Sequence, residues 1–136
     1  GAACELATAR LEADAARLAD LRGLVEQGLA ASGAAIFSRN APRLPNTACM
    51  AFGLLDADVV LQRLARAGIC VSSGSACSSG GTEPSPVLLA MGTEVAAARA
   101  AVRFSLSAET TPAEIACVIE TLQAALTPLL AEAFTA

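Results

Sequence analysis

A chain of 136 residues, 54% of them hydrophobic, is long enough for one domain that buries roughly two thirds of its unfolded surface. Aromatic residues make up only 3% and the formal net charge is −4, so the stacking faces and clustered cations of a nucleic-acid surface are both missing. All nine basic residues are Arg and the chain has neither Lys nor His, which excludes a Schiff base, a Walker-type phosphate loop, a Ser/His or Cys/His pair and a His-containing zinc site built from this chain alone.

From Glu5 to about Ser32 the apolar residues Leu11, Leu18, Leu21, Val25 and Leu29 recur at helical spacing, with Glu12, Asp14, Arg17, Asp20 and Glu26 mostly between them. This predicts an amphipathic helix stopped at Ser32-Gly33. Ala34 to Ser38 is a short apolar strand candidate, and the Pro- and Asn-rich stretch from Arg39 to Asn46 is a turn leading into a second strand, Thr47 to Phe52. Asp56 is a candidate N-cap for a helix ending near Ala67, with Val60, Leu61 and Leu64 on its buried stripe and Gly68 in the left-handed closing position.

Ile69-Cys70-Val71 is expected to be a third short strand. After a Ser/Gly-rich loop and one short helix, Ala101 to Leu106 alternates as a fourth. Thr111-Pro112-Ala113-Glu114 combines a Thr cap, Pro at the first helical position and a capping-box Glu, and Ile115, Val118, Ile119, Leu122, Leu126 and Leu129 follow at helical spacing. The order predicts an α+β fold with helices covering one face of a small, mostly antiparallel sheet.

The five cysteines, Cys4, Cys49, Cys70, Cys77 and Cys117, are odd in number and contain no C-x-x-C pair, which fits neither a disulfide framework nor a zinc knuckle. No apolar stretch is long enough to span a bilayer, and a soluble, cytoplasmic protein is expected. The start at Gly1, without Met, suggests a piece of something longer.

Cys49 and Cys70 fall in apolar strand candidates and Cys117 within the last helix, where free thiols usually act as small buried hydrophobes. Cys77 instead sits in the run Ser72 to Gly81, where nothing is large enough to pack, so that loop is expected to be mobile and exposed. Composition leaves two readings for Cys77, a nucleophile or an incidental linker thiol, because no obvious base stands beside it.

The run Val71 to Gly80, then Glu83-Pro84-Ser85, Val87-Leu88, Ala90-Met91-Gly92 and Val102-Arg103-Phe104-Ser105-Leu106, resembles the C-terminal part of pyridoxal-phosphate-dependent cysteine desulfurases. The resemblance is to the long-loop group serving iron–sulfur assembly and nitrogen fixation, with a class V aminotransferase-like fold. It implies that residues 1–136 are the small C-terminal domain of a fold-type I enzyme, carrying the catalytic-cysteine loop over residues 72–83 and packing on a large cofactor domain absent from this chain. Cys77 would be the nucleophile that takes sulfur from L-cysteine as a persulfide, releasing L-alanine. Arg103 would hold the substrate carboxylate; without the resemblance, a surface salt bridge is its simpler reading.

Asn46 is expected to be structural, as a turn Asn bonded to its own backbone. The family's cofactor lysine and ring-stacking histidine belong to the large domain, so this chain alone is expected to be inactive and to bind no cofactor or metal. An iron–sulfur scaffold or another sulfur-acceptor protein would be the partner, and the full-length enzyme a homodimer. The alternative is a stand-alone interaction or sulfur-carrier domain of the same fold.

Overall fold

The computed structural model describes residues 1–53, 55–73 and 83–133, with side chains described as far as Pro128. Its elements run α1 (Ala2–Ala30), β1 (Ala34–Ile36), β2 (Thr47–Phe52), α2 (Ala57–Arg66), β3 (Ser72–Ser73), α3 (Pro86–Ala90), α4 (Val95–Arg99), β4 (Val102–Ser105) and α5 (Pro112–Ala133). The described strands form one sheet in the order β1-β2-β4-β3, antiparallel at every pairing.

The period-2 alternation of a strand sends successive side chains to opposite faces, and it sorts this sheet cleanly. Ala48, Met50 and Phe52 of β2 and Val102 and Phe104 of β4 are buried against α1, α2 and α5. Fully burying a side chain the size of Met50 or Phe52 contributes roughly 1.5–3 kcal/mol, so this face is the principal core. The opposite face carries Thr47, Cys49 and Arg103. A smaller cluster of Leu88, Ala98 and Ala101, joined by Phe37 and Cys49, covers part of it.

The α+β sandwich expected from the sequence is therefore present, with a helical cover on one face and two short helices, rather than one, beside the other. The first helix begins at Ala2 and not at Glu5, and Leu11 is 65% exposed, so its buried stripe starts only at Leu18. Near its far end α1 packs against α5. A Cβ at Gly28 would collide with the Ile119 side chain, and the Gly28 carbonyl accepts a hydrogen bond from Gln123 Nε2 at 2.9 Å. A larger residue at this crossing would require the Ile119 side chain to move.

Helix α2 starts at the expected cap: the Asp56 carboxylate accepts the Asp58 amide at 2.9 Å. It ends with Gly68 at φ +76°, where the Gly68 amide donates to Ala65 and the Ile69 amide to Leu64, both at 3.0 Å. That paired closure is a Schellman motif, and it explains why Ile69-Cys70-Val71 is not the third strand. The Ile69 amide is already committed to the helix, and sheet pairing begins only at Ser72.

At α5 the capping box forms as expected. The Glu114 carboxylate accepts from the Thr111 amide at 2.8 Å and the Thr111 hydroxyl at 2.9 Å, and the Glu114 amide donates back to Thr111 Oγ1 at 3.3 Å. These bonds hold the Glu114 carboxyl below its ordinary range. A depressed carboxylate stabilises the fold above its unfolded pKa of about 4.3 and loses that contribution as pH falls through the folded value. Amide exchange in the first turn of α5, taken relative to the intrinsic rate at each pH, is therefore expected to accelerate in acid. At neutral pH, Thr111→Ala should speed it by roughly fivefold, the equivalent of a lost cap of about 1 kcal/mol. Unchanged protection in that variant would show that packing alone holds the turn.

Candidate functional site

The register of the sheet brings three residues into one row. Cys49 on β2 is the direct partner of Arg103 on β4, and Arg103 is the direct partner of Ser72 on β3. Residues paired across antiparallel strands share a face, so Cys49, Arg103 and Ser72 line up on the side away from the principal core. Arg103 is half-buried there, and among the described residues it has no salt-bridge partner. The surface ion pair that composition alone would suggest is not among the described contacts.

Above this row lies a groove of about 520 Å³. Cys49, Ala101 and Arg103 form its floor; Phe37, Ser38, Arg43 and Leu44 make one wall, and Ser85, Val87, Leu88 and Met91 the other. The second wall owes its shape to local sequence. Ser85 caps α3, its hydroxyl accepting the Leu88 amide at 3.5 Å, with Pro86 at the first helical position, where a proline's missing amide costs nothing. The wall tops are apolar and open: Leu44 is 69%, Val87 65% and Met91 54% exposed.

The electrostatics follow from this placement. Burial pushes the Cys49 thiol up from its ordinary range, and the Arg103 guanidinium pulls it part of the way back. Cys49 is therefore a poor thiolate at neutral pH although it lines the groove. A guanidinium free of described carboxylates, at the floor of a half-enclosed groove, is a ready partner for a carboxylate, which it can hold through two parallel N–H bonds.

Several residues stand elsewhere than expected. Cys70 and Cys117 are exposed, not buried, and both line a second groove of about 360 Å³ beside Gly68, Phe104 and Ile115. Cys117 is two positions from both Ile115 and Ile119, which on a helix turns it about 200° from the buried stripe. Cys49 is half-buried and faces the groove, so it is not simply a core thiol. Asn46 is structural, but not through its own backbone. Its amide donates to the Leu106 carbonyl at 3.2 Å while the Leu106 amide donates to Asn46 O at 2.8 Å, tying the start of β2 to the end of β4. Cys77 lies outside the described residues.

Sequence reasoning also missed Glu26, which it placed on the solvent face of α1. Glu26 is 6% exposed and paired with Arg43 and Arg22. The signal was its place directly after Val25 on the buried stripe, with Arg22 four residues back and an arginine in the turn to follow. Among the described residues no group of three or more His, Cys, Asp or Glu could hold a metal ion, and no helix is long and apolar enough to cross a membrane.

Residues 1–118 match the family Aminotransferase class-V. The chain belongs to that family. Among class-V relatives, a cysteine desulfurase of Rhodobacter capsulatus is 48% identical over 130 residues, 95% of this chain and 34% of its own length. Cysteine desulfurase NifS of Azotobacter vinelandii is 43% identical over 121 residues, 88% of this chain and 30% of its own. The solved structure of a NifS-like protein from Rickettsia africae superposes with a TM-score of 0.77 at 30% identity, covering 88% of this chain and 31% of that one. The chain thus spans about a third of the length of the curated relatives it matches. The class-V match and these structural neighbours agree with the four-stranded antiparallel sheet and its helical cover.

Proposed function

We propose that residues 1–136 are the small C-terminal domain of a cysteine desulfurase, in which Cys77 removes sulfur from L-cysteine and Arg103 holds the substrate carboxylate. The single observation that carries this is the row Cys49–Arg103–Ser72. It puts an arginine with no described carboxylate partner on the floor of a groove, directly beside the strand from which the Cys77 segment departs. Cys77 follows Ser73 by four residues, a length of chain that spans at most about 14 Å. Its sulfur is thereby tethered within reach of a molecule bound at Arg103.

In the proposed reaction the Cys77 thiolate attacks the sulfur of the substrate, forming an S–S bond as the substrate's C–S bond breaks. The electron pair left on carbon is taken up by a proton and alanine leaves. The sulfur stays as a Cys77 persulfide for transfer to an iron–sulfur scaffold or another acceptor protein. The family implies pyridoxal phosphate, which would act as an electron sink for the bond-breaking step. The residues of this chain do not fit its covalent attachment, because the chain has no Lys. Its attachment point and the homodimer contacts belong, in this reading, to a larger domain of the full-length protein.

The test is to express the full-length protein, supply cysteine, and quantify alanine together with the mass of the peptide that contains Cys77. Equimolar alanine and a 32 Da gain on that peptide, at about one sulfur per turnover before an acceptor is added, is the expected result for a persulfide-forming nucleophile. Absence of alanine would refute the proposal.

A further inference from the structure

The groove wall formed by residues 37–47 lies between two strands: β1 ends at Ile36 and β2 begins at Thr47. Within it Ser38 has φ +55°, a left-handed conformation that a non-glycine residue keeps only where its surroundings fix it. The Phe37 amide donates to the Cys49 carbonyl at 2.9 Å and the Ala41 amide to the Ser38 carbonyl at 3.1 Å, and α1 holds the far end of the segment. The buried Glu26 carboxylate receives Arg43 on both oxygens, Nη1 to Oε1 at 2.7 Å and Nη2 to Oε2 at 3.3 Å. Arg22 Nε stands 3.6 Å from the same Oε1, and its Nη1 donates to the Leu44 carbonyl at 2.6 Å.

Two guanidinium groups thus share one carboxylate, and Arg22 Nε is left buried without a hydrogen-bond partner among the described residues. A buried ion cluster of this kind is weak evidence for stability, since apolar side chains of similar volume often serve as well. What it supplies here is geometry. It grips two consecutive residues, Arg43 and Leu44, and both line the groove over Arg103, whereas Glu26 does not.

We propose that Glu26 is a positioning residue: through Arg43 and Arg22 it sets the wall of the Arg103 groove without touching whatever binds there. The kinetic consequence rests on the desulfurase reading; the structural consequence does not. Glu26→Gln keeps the shape but presents an amide N–H₂ to a guanidinium N–H and leaves two cations without a counter-charge.

The experiment uses the full-length protein. Iodoacetamide labelling is followed peptide by peptide at Cys49, which forms the groove floor, and at Cys70 and Cys117, which line the other groove. In Glu26→Gln the labelling rate of Cys49 is expected to rise about tenfold, the equivalent of about 1.4 kcal/mol of lost restraint, with Cys70 and Cys117 unchanged. The KM for cysteine should rise about tenfold with little change in kcat, as when binding shared by the ground and transition states is lost. Glu26→Asp should show the same pattern at smaller amplitude, and it takes the place of Glu26→Gln if that variant does not fold.

Unchanged labelling of Cys49 would overturn the proposal. So would an equal rise at all three cysteines, which would make Glu26 a residue of global stability, and a rise at Cys49 with KM unmoved would overturn its kinetic half. If the wild-type full-length protein makes no alanine from cysteine, the functional reading fails and the labelling pattern still decides the role of Glu26.

Discussion

In the full-length protein, Cys77→Ala is expected to abolish persulfide formation and alanine release, with a loss on the order of 10⁴-fold or more, as when a covalent nucleophile is removed from an enzyme that cannot replace it. The structure changes the reason for choosing Cys77 over the other cysteines. Burial does not separate them, because Cys4, Cys70 and Cys117 are all exposed. Location and ionisation do. Cys70 and Cys117 line the groove on the other side of β4, by Phe104 and Ile115, away from the Arg103 floor. Cys49 does line the Arg103 groove, but burial raises its thiol pKa, which leaves little thiolate at neutral pH.

In the proposed reading Cys77 follows the Ser72 of this row by five residues and lies in a run of small residues, Ser75-Ala76-Cys77-Ser78-Ser79. Stability should be nearly untouched, since a Cys to Ala change among such neighbours removes little packing. Alanine production and sulfur transfer at wild-type rates in Cys77→Ala would move the nucleophile to another residue. Cys49 would be the first to test, through the pH dependence of its alkylation.

The strong periodic signals of the sequence became the fold. The Leu18-Leu21-Val25-Leu29 stripe is buried as its spacing requires, and the Asp56 cap, the Gly68 closure and the Thr111–Glu114 box form because each is a local arrangement that needs only its own few neighbours. The misreadings share a different cause. Ile69-Cys70-Val71 has strand composition, yet the helix before it claims the Ile69 amide. Leu11 continues the periodicity, yet no partner element among the described residues reaches that far along α1. Glu26 has solvent-face composition, and only a contact with Arg43, in a turn 17 residues away, makes it a buried group. Pairing between distant elements is not a property of any short window of sequence. The direct register of Cys49 with Arg103, 54 positions apart in the chain, was invisible for the same reason.

Arg103→Lys separates geometry from charge at that pairing. A lysine on β4 keeps the positive field that lowers the Cys49 thiol, but it offers a point charge in place of a planar fork. Losing one charge-assisted hydrogen bond to a carboxylate is worth about 1.5–3 kcal/mol, so kcat/KM for cysteine is expected to fall roughly ten- to a hundredfold, chiefly through KM. The pH profile of Cys49 alkylation should stay where it is. Arg103→Met removes field and fork together; it should weaken substrate binding at least as much and also move the Cys49 profile to higher pH, because the Coulombic pull on the thiolate is gone. The fold should survive both changes, since Arg103 faces the groove and has no described ion-pair partner to orphan. Wild-type kinetics in Arg103→Lys, measured as alanine formed, would show that the fork does not hold the substrate. In the proposed reading the carboxylate clamp would then have to lie outside residues 1–136, with Arg103 acting on the groove through its charge alone.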